Sequence, residues 1–261
     1  MDQVLYRREG AVELVTLNRP ESKNSFSFAL IKELGDHFQR LTLEDDVRAV
    51  IITGAGKGFC TGADLSGPDN RSDIVLPVGM RLTAQWYGRV ISGIMNLEKP
   101  VIGAINGIAA GGGCNLALSC DILIASEAAR FIQVFARRGL IADMVGTFFL
   151  PRLIGLARAK ELMFSADEVD ARRALDLGLV NKVVPADELM PAAMELAQRL
   201  AHGSTRAIGM MKNMLNRSFE SDLETALERE AAMQGIAVST SDVKEGVMSF
   251  FEKRPPNFTG N

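Results

Sequence analysis

Residues 100–120 read Pro-Val-Ile-Gly-Ala-Ile-Asn-Gly-Ile-Ala-Ala-Gly-Gly-Gly-Cys-Asn-Leu-Ala-Leu-Ser-Cys, without a single charge. On length alone such a run could cross a bilayer. Its glycines (Gly103, Gly107, Gly111, Gly112, Gly113), two asparagines and leading proline break it instead into three pieces. These are a buried strand over Val101–Ile105, a turn at Asn106-Gly107 and a short helix from about Gly112 to Ser119. The triple glycine clears side chains from the first amides of that helix, which lack intrachain acceptors and sit at the positive end of its dipole. Upstream, Gly58-Phe59-Cys60-Thr61-Gly62-Ala63-Asp64-Leu65 repeats the pattern: a buried strand, Ala49–Thr53, feeds a glycine loop that opens a turn of helix after Gly62. Taken singly, each run reads as a helix packed tightly on a sheet. Taken together, they read as two converging amide donors able to hold an oxyanion.

Outward from these segments, Val4–Arg7 and Ala11–Leu17 flank Glu9-Gly10 as a hairpin, and Asn18-Arg19-Pro20 ends its second strand. Phe28, Ile31, Leu34, Phe38 and Leu41 recur at the helical period over Ser27–Thr42. Val78–Leu97 is helical until Lys99-Pro100 stops it. Strands follow at Ile122–Ala125 and, last, at Val180–Val184. Beyond that the pattern is helical throughout: Asp187–Leu200, Ser204–Asn216, Asp222–Ser239 and Asp242–Phe251. Strand, strand, helix recurs loosely, so the expected class is α/β: a core of ββα turns over residues 1–200, with a helical C-terminal region over 201–261.

Composition narrows the chemistry. The chain has 261 residues, 29 basic against 32 acidic, and is 47% hydrophobic, a balance that argues for a real core and against disorder. A net charge of −3 lacks the footprint of a nucleic-acid or anionic-membrane binder. A mean hydropathy of +0.10 points to much buried surface, subunit interfaces included. The first ten residues, MDQVLYRREG, show no signal-peptide pattern, and Cys60, Cys114 and Cys120 are too few and odd in number for a disulfide scaffold; both point to a reducing cytoplasm. His37 and His202 read as surface helix residues. No metal-binding spacing and no GxSxG occur. Gly54-Ala55-Gly56-Lys57-Gly58 fails as a phosphate loop because glycine follows Lys57, and it lacks the third glycine of a dinucleotide fingerprint. Carboxylates and backbone amides remain.

Several motifs together resemble the crotonase superfamily of enoyl-CoA hydratases and isomerases across the whole chain. They are Leu17-Asn18-Arg19-Pro20 with Asn24-Ser25, Phe59-Cys60-Thr61-Gly62-Ala63-Asp64-Leu65, Lys99 through Gly113, Cys120-Asp121-Ile122 and the closing Lys253-Arg254-Pro255-Pro256-Asn257-Phe258-Thr259-Gly260. The resemblance implies a spiral of ββα repeats, trimers or dimers of trimers, and acyl-CoA substrates, with CoA entering as part of the substrate and no separate cofactor or metal. It implies that the amides of Ala63 and Gly112 hold the thioester oxygen. It further implies that Lys23, Ser25, Thr61, Asp64, Leu65, Gly111 and Phe135 lie along the CoA and acyl groups, while Lys253 reaches CoA phosphates, from a neighbouring subunit if the copies associate. The C-terminal helices would then cover the site and join subunits.

The carboxylates select the reaction. Hydratases of the family carry two glutamates where this chain has Asn115 and Phe135, and neither can take a proton at neutral pH. Asp143, alone in Gly139-Leu140-Ile141-Ala142-Asp143-Met144-Val145-Gly146, falls where certain family isomerases, among them ring-1,2-epoxyphenylacetyl-CoA isomerases, have their aspartate. An acid in apolar surroundings has a raised pKa suited to reversible proton transfer. The bland role for Asp143 is a helix N-cap near Met144. Asp121 reads as a buried structural acceptor and Asp64 as a loop organiser; Glu98 and Glu127 read as solvated. Met80, Trp86 and Tyr87 line an acyl pocket or simply fill the core. Rival readings are a hydrolase or dehalogenase with Asp143 as nucleophile, a weak hydratase, and a non-catalytic, RNA-associated relative.

Overall fold

The computed structural model describes residues 2–64 and 77–260, without the side chains of residues 77–83. Strands β1 (Val4–Glu9) and β2 (Val12–Leu17) form the expected antiparallel hairpin, closed by Gly10 at φ +59°. Helix α1 (Phe28–Leu41) is capped by Ser27, whose hydroxyl accepts from the Leu30 N–H. Then come β3 (Ala49–Gly54), β4 (Gly58–Cys60), α2 (Pro77–Asn96), β5 (Val101–Ile105), β6 (Ile108–Ala110), α3 (Gly112–Leu118), β7 (Ile122–Ser126) and β8 (Arg130–Ile132). After a 3-10 turn over Val134–Arg138 follow α4 (Gly146–Ile154), α5 (Leu156–Ser165), β9 (Glu168–Asp170), α6 (Ala171–Leu177), β10 (Lys182–Val184), α7 (Leu189–Ala201), α8 (Thr205–Leu215), α9 (Leu223–Ala237) and α10 (Ser241–Glu252).

Among the described residues the strands form two sheets, ordered β1-β2-β3-β5-β7-β10 and β4-β6-β8-β9. Three strands of the first sheet are each followed, across a tight turn, by a short strand of the second and then by a helix: β3-β4-α2, β5-β6-α3, β7-β8-α4. This is the spiral that the loose repeat implied. The second sheet is the new feature. Gly58–Cys60, which reads as loop, and Ile108–Ala110, unassigned between the Asn106-Gly107 turn and the helix, are parallel-paired strands. The stretch from 127 to 179, without elements in the sequence reading, holds β8, α4, α5, β9 and α6.

Strands β3 and β5 are buried along both faces, which is why their sequences are continuously apolar. One face packs into the interior of the spiral with Leu34, Phe38 and Ile94. The other face, through Ile51, Ile102 and Ala104 with Ile124 of β7, meets the stripe Leu189, Ala193, Ala197 and Ala201 of α7. Alanine at every fourth position lets that helix lie close on the sheet.

His37 corrects one expectation. It is 4% exposed, because it shares the α1 face of Leu34, Phe38 and Leu41, and its ring stacks on Tyr6 at 3.9 Å. Burial pushes its pKa down to about 4, so it is held neutral. His202 is exposed, as expected. Asp121 is a structural acceptor, taking the Val101 N–H at 2.7 Å and pairing with Lys212 Nζ at 2.7 Å, but it lies at the surface instead of being buried as its sequence setting implied.

Lys212 also donates to the carbonyls of Ile94 and Lys99, tying α8 to the core. Beyond it the surface is unusually apolar: Phe219, Phe250 and Phe251 are 75–77% exposed, and α9 buries none of its residues.

Candidate active site

The Thr61–Asp64 segment leaves β4 and runs beside Phe26 in a parallel bridge. The Phe26 N–H donates to the Gly62 carbonyl at 2.7 Å, and the Asp64 N–H donates to the Phe26 carbonyl at 3.0 Å. In that register the intervening Ala63 N–H is directed away from Phe26. Arg19 fixes the segment, pairing with Asp64 Oδ2 at 2.8 Å and donating to the Ser25 carbonyl at 2.7 Å. Asp64 is thus a loop organiser, as its setting implied.

Gly112 opens α3 as its first residue, so its N–H has no acceptor within the helix. The two amide-bearing segments touch. Gly62 has φ +79°, and a Cβ there would stand 3.0 Å from the Gly112 nitrogen, so only glycine permits the approach.

These segments line a cleft of about 420 Å³ together with the wall that follows β8. Of the residues expected at the site, Ser25, Thr61, Ala63, Asp64, Gly111, Gly112, Phe135 and Asp143 all border this cleft. Lys23 and Lys253 are exposed and do not line it, and Leu65 lies outside the described residues. Trp86 packs edge-on against Phe28, and Tyr87 faces Phe26; neither borders the cleft. The side chain of Met80 lies outside the description. Arg138 and Leu140 also border the cleft and were missed, since no local pattern marks a residue in an irregular segment as facing inward. A slightly larger cleft, about 460 Å³, lies between α4 and α8; it is mainly apolar, and its Lys212 is committed to Asp121 and backbone carbonyls.

Asp143 lies beside Gly112. A Cβ on Gly112 would meet Asp143 Oδ1 at 3.1 Å. That oxygen is buried and has no hydrogen-bond partner among the described residues. Burial pushes the carboxyl up to about 6. The titratable groups felt around it are Cys60 and Tyr87, both raised by burial and therefore neutral. Asp143 does not cap the next helix: α4 starts at Gly146 with Val145 at the cap position and no side-chain cap bond. Asn115 is fully buried and donates from Nδ2 to the Asp143 main-chain carbonyl at 2.8 Å. Phe135 sets its ring against Gly111.

Residues 7–261 match the family model described as enoyl-CoA hydratase/isomerase. The chain is 38% identical to the 1,2-epoxyphenylacetyl-CoA isomerase of Escherichia coli (strain K12), covering 100% of this chain and 99% of that protein. It is 40% identical to the short-chain-enoyl-CoA hydratase of Clostridium acetobutylicum, covering 97% and 96%. The crystal structure of the enoyl-CoA hydratase of Bacillus anthracis superposes with a TM-score of 0.92 at 35% identity over 100% of both chains. That of Mycobacterium smegmatis does so at 0.92 and 32%, over 99% of each. With the ββα spiral and whole-length matches to both isomerase and hydratase relatives, the chain belongs to the enoyl-CoA hydratase/isomerase (crotonase) family and is an enzyme acting on CoA thioesters.

Proposed function

We propose that the enzyme is an acyl-CoA isomerase that moves a double bond from the 3 to the 2 position of an enoyl thioester, or of a related ring-type thioester. One observation carries this reading: the cleft contains a buried carboxyl oxygen, Asp143 Oδ1, beside Gly112 and without a hydrogen-bond partner among the described residues. The thioester oxygen accepts from the N–H groups of Ala63 and Gly112, which makes the C2 hydrogens acidic. The Asp143 carboxylate takes one of these protons. The resulting dienolate keeps its charge on the oxygen held by the amides. Asp143 then returns the proton at C4, leaving the double bond at C2, and the enzyme ends as it began. A single base suffices because the proton given back equals the proton removed.

The hydratase names among the relatives favour a second reading. Adding water needs a group to orient and deprotonate it, and the positions available, Asn115 and Phe135, offer an amide already in use and a hydrocarbon. Among the described residues the other carboxylate bordering the cleft, Asp64, is held by Arg19. Nucleophilic hydrolysis by Asp143 is disfavoured because neither His37 nor His202 borders the cleft.

The deciding assay is 3-hexenoyl-CoA in deuterated water, read by mass. The expected product is 2-hexenoyl-CoA with deuterium exchange at C2 or C4. Hydration of crotonyl-CoA, supplied in parallel, with 3-hexenoyl-CoA left unchanged would establish the hydratase reading, and release of free CoA the hydrolase.

The same reading assigns the CoA phosphates to Lys253 from a neighbouring copy, and sets Lys23 and Leu65 along the ligand. CoA enters with the substrate, and no other cofactor is invoked. The exposed Phe219, Phe250 and Phe251 support assembly into trimers or dimers of trimers. Light scattering should therefore give three or six times the 28.3 kDa protomer mass; a monomer would refute the assembly. A cytoplasmic location suits the three buried free thiols.

A further inference from the structure

Behind Asp143 stands a polar chain that the reaction itself does not use. The Asp143 carbonyl accepts from Asn115 Nδ2 at 2.8 Å and from the Gly146 N–H at 3.1 Å. Asn115 Oδ1 accepts in turn from Gln133 Nε2 at 2.8 Å. A carbonyl can only accept, so its polarity dictates both amide orientations: Asn115 must present nitrogen forward and oxygen back, and Gln133 must present nitrogen. Gln133 Oε1 is thereby left buried without a partner among the described residues. Asn115 and Gln133 are 0% and 3% exposed, so the arrangement forgoes a hydrogen bond in the interior to keep this direction.

The turn that it holds is strained. Met144 and Val145 have φ +45° and +59°, two successive left-handed residues without a glycine, the second β-branched. Asn115 also fills the space beside Gly146, where a Cβ would come within 2.5 Å of its Cγ. One amide therefore grips both ends of the turn, bonding to residue 143 and packing on residue 146.

We propose that Asn115, backed by Gln133, is the positioning residue of this enzyme: the amide pair holds the strained 143–146 turn so that the Asp143 carboxyl stays beside Gly112 and out of water. The position that carries a water-handling glutamate in hydratases here serves to aim the base. This inference rests on Asp143 being the base.

The test compares Asn115→Ser, Gln133→Met and Asp143→Asn with the wild-type enzyme on 3-hexenoyl-CoA. Serine is too short to reach the 143 carbonyl. Methionine keeps the shape of Gln133 while removing both its donor and its unpartnered oxygen, so the fold is retained even if Asn115→Ser fails to fold. Both variants should lower kcat roughly 10- to 100-fold, as expected for a misplaced reacting group, with KM within about threefold of wild type. The acid limb of kcat/KM should also move from about 6 toward the ordinary carboxylate value as the released carboxyl meets water. A fall in kcat with the acid limb unmoved would mark mere loss of packing and overturn the proposal. Wild-type kcat and acid limb in Gln133→Met, with Asp143→Asn inactive, would overturn positioning while leaving the base in place. An active Asp143→Asn would remove the base, and this inference with it.

Discussion

Asp143→Asn is expected to abolish double-bond migration while leaving acyl-CoA binding nearly unchanged. General-base catalysis contributes ~10²- to 10⁴-fold, and no other described carboxylate bordering the cleft is free to substitute. Isothermal titration with a saturated acyl-CoA measures binding separately from turnover. In the wild-type enzyme, kcat/KM should fall tenfold per unit below pH about 6, because the base must be ionised and burial has raised its pKa to that value. A variant with wild-type turnover would mean that the proton is carried by another group.

The same substitution should stabilise the fold, with a pH dependence of definite sign. The folded carboxyl binds its proton up to about pH 6, the unfolded one only to about 3.8. Between these values the native state holds more protons, so stability declines as pH rises through the window, and the full penalty is present above it. The shift corresponds to about 2 to 3 kcal/mol, a cost that the uncharged amide of the variant would not incur. Urea unfolding should therefore show Asp143→Asn more stable than wild type at pH 8, with the difference vanishing near pH 4. Stability traded for a reactive group is the ordinary condition of an active site.

What could be read in the sequence follows from where the determining forces act. Helix α1 was legible because its buried face repeats at the helical period, and β3 because burial on both sides leaves only apolar residues. His37 carried the same signal, sharing the face of Leu34 and Leu41, but was judged by its polarity. Strands β4 and β6 were illegible: three residues cannot display a period, and their pairing partners lie some fifty residues apart. At the cleft, Asp143 stood out as an acid in an apolar run. The grip of Asn115 and Gln133 on its main chain did not, because it depends on a juxtaposition of residues 115, 133 and 143 that exists only after three segments have folded together.

The amide pair is tested best at Gly112, by comparing two substitutions. Proline is favourable at the first residue of a helix, where the missing N–H has no helical acceptor to lose. Gly111, at φ 54° and ψ −127°, is a glycine free to precede it. Gly112→Pro therefore removes the proposed donor with little damage to α3. Any Cβ at this position also crowds Asp143 Oδ1 and Phe26 Cε2, each at 3.1 Å, so the proline confounds lost donation with crowding. Gly112→Ala supplies the correction, since it adds the same carbon and keeps the N–H. Losing one donor of an oxyanion hole costs ~100- to 1000-fold in kcat, and that factor should separate the proline from the alanine variant. Thermal unfolding of both should be alike if the helix start tolerates proline. Equal rates in the two variants would show that the Gly112 amide does not carry the developing charge, even with Asp143 confirmed as the base.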